Sequence, residues 1–489
     1  MALQIVESCV NCWACVDVCP SEAISPGTAY FRISAHKCTE CDGDYAEQPK
    51  AMRLANVFYA TATSGGTLDR VDEPHFFSGF VENPHIVARG VLTVADYAAK
   101  RFYTPVDTAA IAALDPVVTS TPEGLRFESF SGCCSAYARL DVTDLDAQSQ
   151  QSGVTNVDIN LPLREALTAI TPGSPLHLTI ADDALHVTTM DTALDEKKVD
   201  LPLRWVKGLA ESQHISAAMT KQLELTGPET TKFITSLPGT SSPKSAMWAT
   251  PALRSIRLAS KPSKGAVCLA GPERLKPLIP LLPYVTKLSA YSTESDATSQ
   301  PKSSAWVFEL PGARFTVVIS PAKTRGFSGE GALLMSLNSQ HAADDADLVS
   351  AVLAFDPRID VRHLAAETGL TPDRVEDALQ VLASTGQVGY DLTLGAYFHR
   401  PLPLDPDVVG KLNPRLANTE ELLARNAVSP LSGRDDEFTV RSGSNEYTVK
   451  LDHDTYAFAC TCFWFAKHKD TRGPCKHVLA AQAFRESTR

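Results

Sequence analysis

No apolar run in this sequence approaches the ~18 residues needed to cross a bilayer. The first residues carry neither a charged n-region nor an apolar h-region. A cytoplasmic protein with no membrane partner is therefore expected. Positive charge is scarce: 45 Lys and Arg stand against 57 Asp and Glu, a net charge of −12. That balance argues against broad, non-specific nucleic-acid binding, which draws its affinity from neutralised phosphates. Catalytic constellations are missing too. Three Phe-Ser-Gly triplets (Phe77-Ser78-Gly79, Phe130-Ser131-Gly132, Phe327-Ser328-Gly329) lack the Gly-x-Ser-x-Gly elbow of a serine nucleophile and read as tight turns beside buried phenylalanines. Gly326-Phe-Ser-Gly-Glu-Gly331 has neither the Lys-Ser/Thr of a phosphate loop nor dinucleotide-loop spacing. With no paired carboxylates and no Ser-His-Asp set, an enzyme is not the expected reading.

What is present is ordinary globular composition, 44% hydrophobic and 21% charged. At 489 residues, several domains are expected, at roughly 150 residues each. Nine of the twelve cysteines fall in two clusters near the chain ends, at spacings that suit metals in a reducing compartment better than disulfides. The remaining three are Cys268 and the vicinal pair Cys133-Cys134, read as core residues of an apolar strand.

The C-terminal cluster reads Cys460-x-Cys462, twelve residues, then Cys475-x-His477. Three thiolates and an imidazole make a tetrahedral zinc set, and four protein ligands leave no open position, so the site is structural rather than catalytic. Glu437–Ala459 reads as a β-hairpin and a third strand ending at Cys460, and Pro474–Phe484 as a helix. Between the ligand pairs, Lys467, His468, Lys469, Arg472 and Lys476 interleave with Phe463, Trp464 and Phe465. Cations beside aromatics can grip a nucleic-acid backbone and stack bases, so Trp464, Lys467, Lys469, Arg472 and Lys476 are candidate contacts to nucleic acid or a protein partner. The bland alternative is a solvated loop with an aromatic plug over the metal.

The N-terminal cluster, Cys9-x2-Cys12-x2-Cys15-x3-Cys19-Pro20, has the spacing of bacterial-type 4Fe-4S ferredoxins. Residues 1–50 resemble the small two-cluster members of that family, with Cys38 and Cys41 opening a second ligand set. The family's next cysteines are missing: the chain reads Lys50 and Leu54 where they would fall. In the family's geometry Cys19 serves the other cluster, so Cys9, Cys12 and Cys15 lack a fourth ligand, and so do Cys19, Cys38 and Cys41. Three outcomes stay open: 4Fe-4S clusters with a non-cysteine or absent ligand, zinc in their place, or a ferredoxin fragment without a stable cluster.

The fold class expected is α+β multidomain. Residues 51–343 form a mixed central region, possibly of two subdomains, with no internal repeat. Strands are expected at Leu125–Phe130, Ala136–Val142, His177–Ile180, Leu185–Thr189, Ala305–Leu310 and Arg314–Ile319. Helices are expected at Val94–Arg101, Leu163–Ile170, Leu203–Ala218 (on the surface, packing Trp205) and Pro272–Leu282. Residues 344–400 read as three helices and a two-stranded wing, a winged-helix-like module whose first helix, Asp344–Phe355, carries Leu348, Val352 and Phe355 on one face. Its third helix opens with Asp373, Glu376 and Asp377 against Arg374 alone, which favours a protein-contacting or structural role over DNA reading. Residues 401–436 read as a linker with one helix, Thr419–Asn426, and 437–489 as the finger.

The finger, with its ligand order and Gly473-Pro-Cys-Lys-His-Val478 context, resembles the SWIM-type zinc finger. Together with Pro74–Gly79, Phe130–Cys134, Arg204-Trp205 and Gly326–Gly331 it resembles a bacterial SWIM zinc-finger family from about Val57 to the C-terminus. Some members of that family lie beside genes for MoxR-type AAA+ ATPases and von Willebrand A-domain proteins. The resemblance implies such partners, and no reaction.

Overall fold

The computed structural model describes residues 24–26, 31–33, 75–103, 116–199, 203–242, 246–252, 255–327, 333–353, 358–400, 414–431, 436–452, 457–469 and 471–488, with Leu201, Gly331 and Leu402. Within the N-terminal segment, β1 (Ile24–Pro26) and β2 (Phe31–Ile33) pair antiparallel. Cys9, Cys12, Cys15, Cys19, Cys38 and Cys41 lie outside the described residues, as do Ser328, Gly329 and Glu330 of the Gly326–Gly331 run.

The central region runs β3 (Phe77–Val81), α1 (Pro84–Ala99), β4 (Val117–Thr121), β5 (Gly124–Phe130), β6 (Ala136–Val142), β7 (Leu145–Gln150), β8 (Gly153–Asn156), α2 (Leu161–Ala169), β9 (His177–Ile180), β10 (Ala184–Thr188) and β11 (Ala193–Lys197). After α3 (Leu203–Ala217) come β12 (Thr220–Thr226), α4 (Gly227–Ser236), β13 (Ala246–Ala252), β14 (Ser255–Ala259), β15 (Val267–Ala270), a 3-10 helix (Pro272–Tyr284), β16 (Lys287–Ser292), β17 (Ser304–Leu310) and β18 (Ala313–Ile319).

These two runs are repeats of one topology, which the sequence pattern does not reveal. The order β11-β10-β9-β3 in the first matches β18-β17-β16-β12 in the second, and β8-β4-β5 matches β15-β13-β14. The first repeat has two extra strands, β6 and β7, which lie in different sheets and have no counterpart among the described residues of the second. Its β6 pairs antiparallel with β18 along Ala136–Val142, which joins the halves into one eight-stranded sheet. The helices line up as α2, α1, the 3-10 helix and α4, each packed on the next.

Local chemistry explains most departures from the expected elements. The helix expected at Val94–Arg101 starts ten residues earlier, with Pro84 in its first turn, and buries Ile86, Val87, Val91 and Val94. The segment expected as a helix at Pro272–Leu282 is 3-10 because Pro277, Pro280 and Pro283 each remove a donor for an i→i−4 bond. Leu275, Leu278 and Leu281 recur at the same spacing of three and form its buried ridge. Helix α3 is not a surface element, for Trp205 is 1% exposed and packs on Phe130 with ring centroids 6.0 Å apart. Cys133 and Cys134 sit in the turn between β5 and β6 rather than in a strand, and Cys134 has a φ of 51°. Of the serine triplets, the first lies within β3 rather than in a turn; Phe77, Phe130 and Phe327 are all buried.

Strand β5 alternates apolar and charged residues, and both faces are covered. Leu125 and Phe127 belong to the same core as α1, whereas Arg126 and Glu128 face the helical element that follows. That element comprises α5 (Leu334–Leu337), α6 (Gln340–Val352), α7 (Val361–Thr368), α8 (Pro372–Ser384), β19 (Val388–Asp391) and β20 (Ala396–His399). Its charges meet those of the sheet: Arg400 binds both Glu128 oxygens at 2.9 and 3.0 Å, and Asp391 takes Arg139 at 3.0 Å and Arg314 at 2.7 Å. Within α6 the inward positions are Ala342, Ala346 and Val349, a stripe of small residues. Leu348 and Val352, from the expected apolar face, are 43% and 37% exposed. Phe355 lies outside the described residues. Helix α8 packs on α3, α5 and α6; Arg374 is engaged by Asp345 and Asp377 accepts from Ser336.

The C-terminal element has α9 (Pro414–Ala424), β21 (Val428–Pro430), β22 (Glu437–Ser442), β23 (Asn445–Leu451), β24 (Phe458–Cys460), α10 (Phe463–His468) and α11 (Lys476–Ser487). Strands β21 to β24 form one antiparallel sheet in chain order. The expected linker therefore contributes a helix and an edge strand, and the expected loop between the ligand pairs contains α10.

Candidate metal centre

Four side chains converge at the point where β24, α10 and α11 meet. Cys460 ends β24, Cys462 caps the N-terminus of α10, Cys475 caps α11, and His477 lies in its first turn. Their ligand atoms all lie within 4.8 Å of one another, and all four residues are buried. His477 Nδ1 is 3.8 Å from Cys460 Sγ and 4.0 Å from Cys475 Sγ. A tetrahedral ion bonded at about 2.3 Å to sulfur and 2.0–2.1 Å to nitrogen separates such atoms by about 3.6–3.8 Å, so the set fits one.

Two backbone amides point at the sulfurs. The Phe465 amide donates to Cys462 Sγ at 3.4 Å and the Cys462 amide to Cys460 Sγ at 3.5 Å. Hydrogen bonding from the Cys460 and Cys475 thiols holds Cys462 far below the ordinary thiol range, and the same contacts push Cys460 far above it. Binding of a cation would displace the protons that remain on the sulfurs. Tyr447 stacks on the His477 ring at 4.4 Å and fixes its plane.

A second layer closes the loop. Gly473 has a φ of 73°, and a Cβ there would fall 2.0 Å from the Gly331 carbonyl oxygen. Arg415 of α9 donates to the carbonyls of Arg472 at 2.8 Å and Pro474 at 3.1 Å. Arg325 donates to the Thr471 carbonyl at 2.6 Å. The ligand loop is thereby seated on the central region through Arg325 and Gly331. The motifs around Phe130, Trp205 and Phe327 are also neighbours: Phe327 lies 6.2 Å from Phe130, and its amide donates to the Cys134 carbonyl. The Arg204 side chain lies outside the described residues.

The candidate contact residues divide. Trp464 is half-buried between the guanidinium groups of Arg415 (5.0 Å) and Arg472 (5.9 Å). Lys467 lies 5.8 Å over the ring of Phe463, Lys469 is exposed at the end of α10, and Lys476 opens α11 half-buried. Arg415 was not singled out by the sequence, since it lies in the expected linker with no motif around it. Cys133 is half-buried. Burial pushes its thiol up, but hydrogen bonds involving the Ser135 and Ser131 hydroxyls and from the amides of Ser135 and Phe102 outweigh this and bring it below its ordinary value.

Comparison with known proteins bears on the other end of the chain. Residues 4–25 match the 4Fe-4S binding domain family. The chain is 81% identical over 48 residues to a ferredoxin-like protein in the nif region of Azotobacter vinelandii, covering 10% of this chain and 52% of that one. It is 47% identical over 54 residues to Ferredoxin-3 of Chlorobaculum tepidum, covering 11% of this chain and 86% of that one. The N-terminal segment belongs to the 4Fe-4S ferredoxins. The ferredoxin-like segment spans about half the length of the Azotobacter relative and 65% of Ferredoxin YfhL of Escherichia coli, with which it shares 44% identity over 57 residues, 12% of this chain. Among solved structures, proliferating cellular nuclear antigen from Entamoeba histolytica matches 50% of this chain and 98% of its own at 9% identity, with a TM-score of 0.32, too low to assign a fold. Among the described residues no helix is long and apolar enough to cross a membrane.

Proposed function

We propose that this protein is an interaction factor whose C-terminal SWIM-type finger is held closed by one structural zinc ion on Cys460, Cys462, Cys475 and His477. The observation that carries this is the buried cluster of four ligand atoms within 4.8 Å, which leaves no position for a substrate. The preceding helices and hairpin, α6 to β20, have the order of a winged helix. Its α8 is packed on α3 and α5, which supports a structural or protein-contacting role over a DNA-reading one. The family resemblance directs the search for a protein partner to a MoxR-type AAA+ ATPase or a von Willebrand A-domain protein. Metal analysis of anaerobically purified protein tests the core of the proposal. One zinc per chain is expected, lost in Cys460→Ser; a preparation without zinc, or one in which that substitution leaves zinc in place, overturns it.

A second reading, electron transfer or redox sensing through a 4Fe-4S cluster at the ferredoxin-like segment, is favoured by its identity to ferredoxins. The same purification tests it. A brown sample with iron and sulfide is expected, and a colourless one holding zinc alone removes this reading.

A further inference from the structure

We propose that the surface formed by α10 and the turn after it binds single-stranded nucleic acid, with a base stacked on Phe463 and the phosphates held by Lys467, Lys469 and Arg472. This rests on the reading of the finger as a metal-closed interaction element and names its ligand.

Phe463 is the first observation. It is 66% exposed on the outside of a buried metal site, a position that packing does not explain. The aromatic residues beside it have structural work: Trp464 sits between two guanidinium groups and Phe465 meets Phe458 at 6.0 Å. Phe463 instead offers its ring to solvent with the Lys467 ammonium 5.8 Å from its centroid. An open aromatic ring flanked by cations is the arrangement on which unpaired bases stack, with little dependence on sequence.

The second observation is the charge around it. In a chain of net charge −12, Arg325, Arg415, Lys467 and Arg472 all bear on one imidazole, that of His468. Burial first and then these four cations depress it to about 4. Lys469 extends the same patch with an exposed side chain. A phosphate chain complements such a field, and the stacking ring distinguishes a single strand from a duplex, whose bases present no open face. Helix α8 is a poorer candidate, since its exposed first turns carry Asp373, Glu376 and Asp377, which repel phosphates.

The test uses full-length, zinc-loaded protein and fluorescence anisotropy with labelled oligo(dT), oligo(U) and a matched duplex. Micromolar binding to the single strands and weaker binding to the duplex are expected. Three phosphate contacts give a slope of log K against log salt of about −2, from roughly 0.7 per contact. Phe463→Ala should weaken binding roughly tenfold with zinc content and slope unchanged. Lys467→Gln with Lys469→Gln should flatten the slope by about 1.4. Absent binding, equal binding to duplex, indifference to Phe463→Ala, or capture of an acidic peptide or anionic vesicles in place of oligonucleotide each overturn the proposal. Loss of this inference with zinc present leaves the interaction-factor reading standing; absence of zinc removes that reading itself.

Discussion

Glycine at position 473 is demanded twice, by a left-handed backbone and by the Gly331 carbonyl that occupies the place of a side chain. The backbone strain alone is about 1–2 kcal/mol for another residue, and the collision adds to it. Gly473→Ala should therefore lower the melting temperature and weaken zinc retention against a chelator, whereas Gly395→Ala, with a φ of 60° but open space around it, should show the strain alone. Arg415 acts on the same loop from α9, and nothing in its local sequence marks it. Ligand residues are legible because metal chemistry dictates their type and spacing, but a residue that holds two carbonyls can lie at any sequence distance. The buried pair Arg400–Glu128, 0% and 1% exposed, is hidden for the same reason. Arg400→Met leaves the Glu128 carboxylate buried without its cation and should cost about 3–5 kcal/mol in a denaturant titration. Asp391 sets an acid limit. Burial raises it, but Arg139 and Arg314 prevail and hold it far below the ordinary carboxylate range. A depressed carboxyl contributes stability that is present above the unfolded value of about 3.9 and is lost as pH falls toward the folded value. Unfolding midpoints measured from pH ~6 downward should therefore fall once pH drops below about 4, and Asp391→Asn should flatten that fall.

Among the elements, those with a local cause were legible. The strands β5, β6, β9, β17 and β18 follow alternation and β-branching, and α7 and α8 follow their caps, Asp360 accepting from two amides and Pro372 opening its helix. The period-two pattern of β5, Leu-Arg-Phe-Glu, ordinarily signals one solvated face. Here the charged face is covered and its charges are matched by Asp141 and Arg400, information carried by distant segments. The 3-10 helix departs from the expected helix because prolines are interleaved with its leucine pattern. Helix α6 lies near its expected place, but small residues rather than Leu348 and Val352 face its neighbours. The short helix α10 has no ordinary cap signal, since its start is set by Cys462, a candidate metal ligand that also serves as the cap.

Across the whole molecule, the sequence marked both chemically specialised ends and gave no sign of the duplicated centre. The two repeats keep strand pairings while their residues diverge, so a pattern preserved in hydrogen bonds leaves no trace in composition. The seam between β6 and β18 has a further consequence. The halves are covalently linked only through the segment around α3, yet they share a sheet and an apolar core that includes Leu140 and Val142 with Phe315 and Val317. A protease site inserted between Val199 and Leu203 of the full-length protein should, once cut, leave two fragments that co-elute and unfold together. The centre would then be a self-complementing pair, two polypeptides held by a shared row of hydrogen bonds, a common apolar core and buried ion pairs.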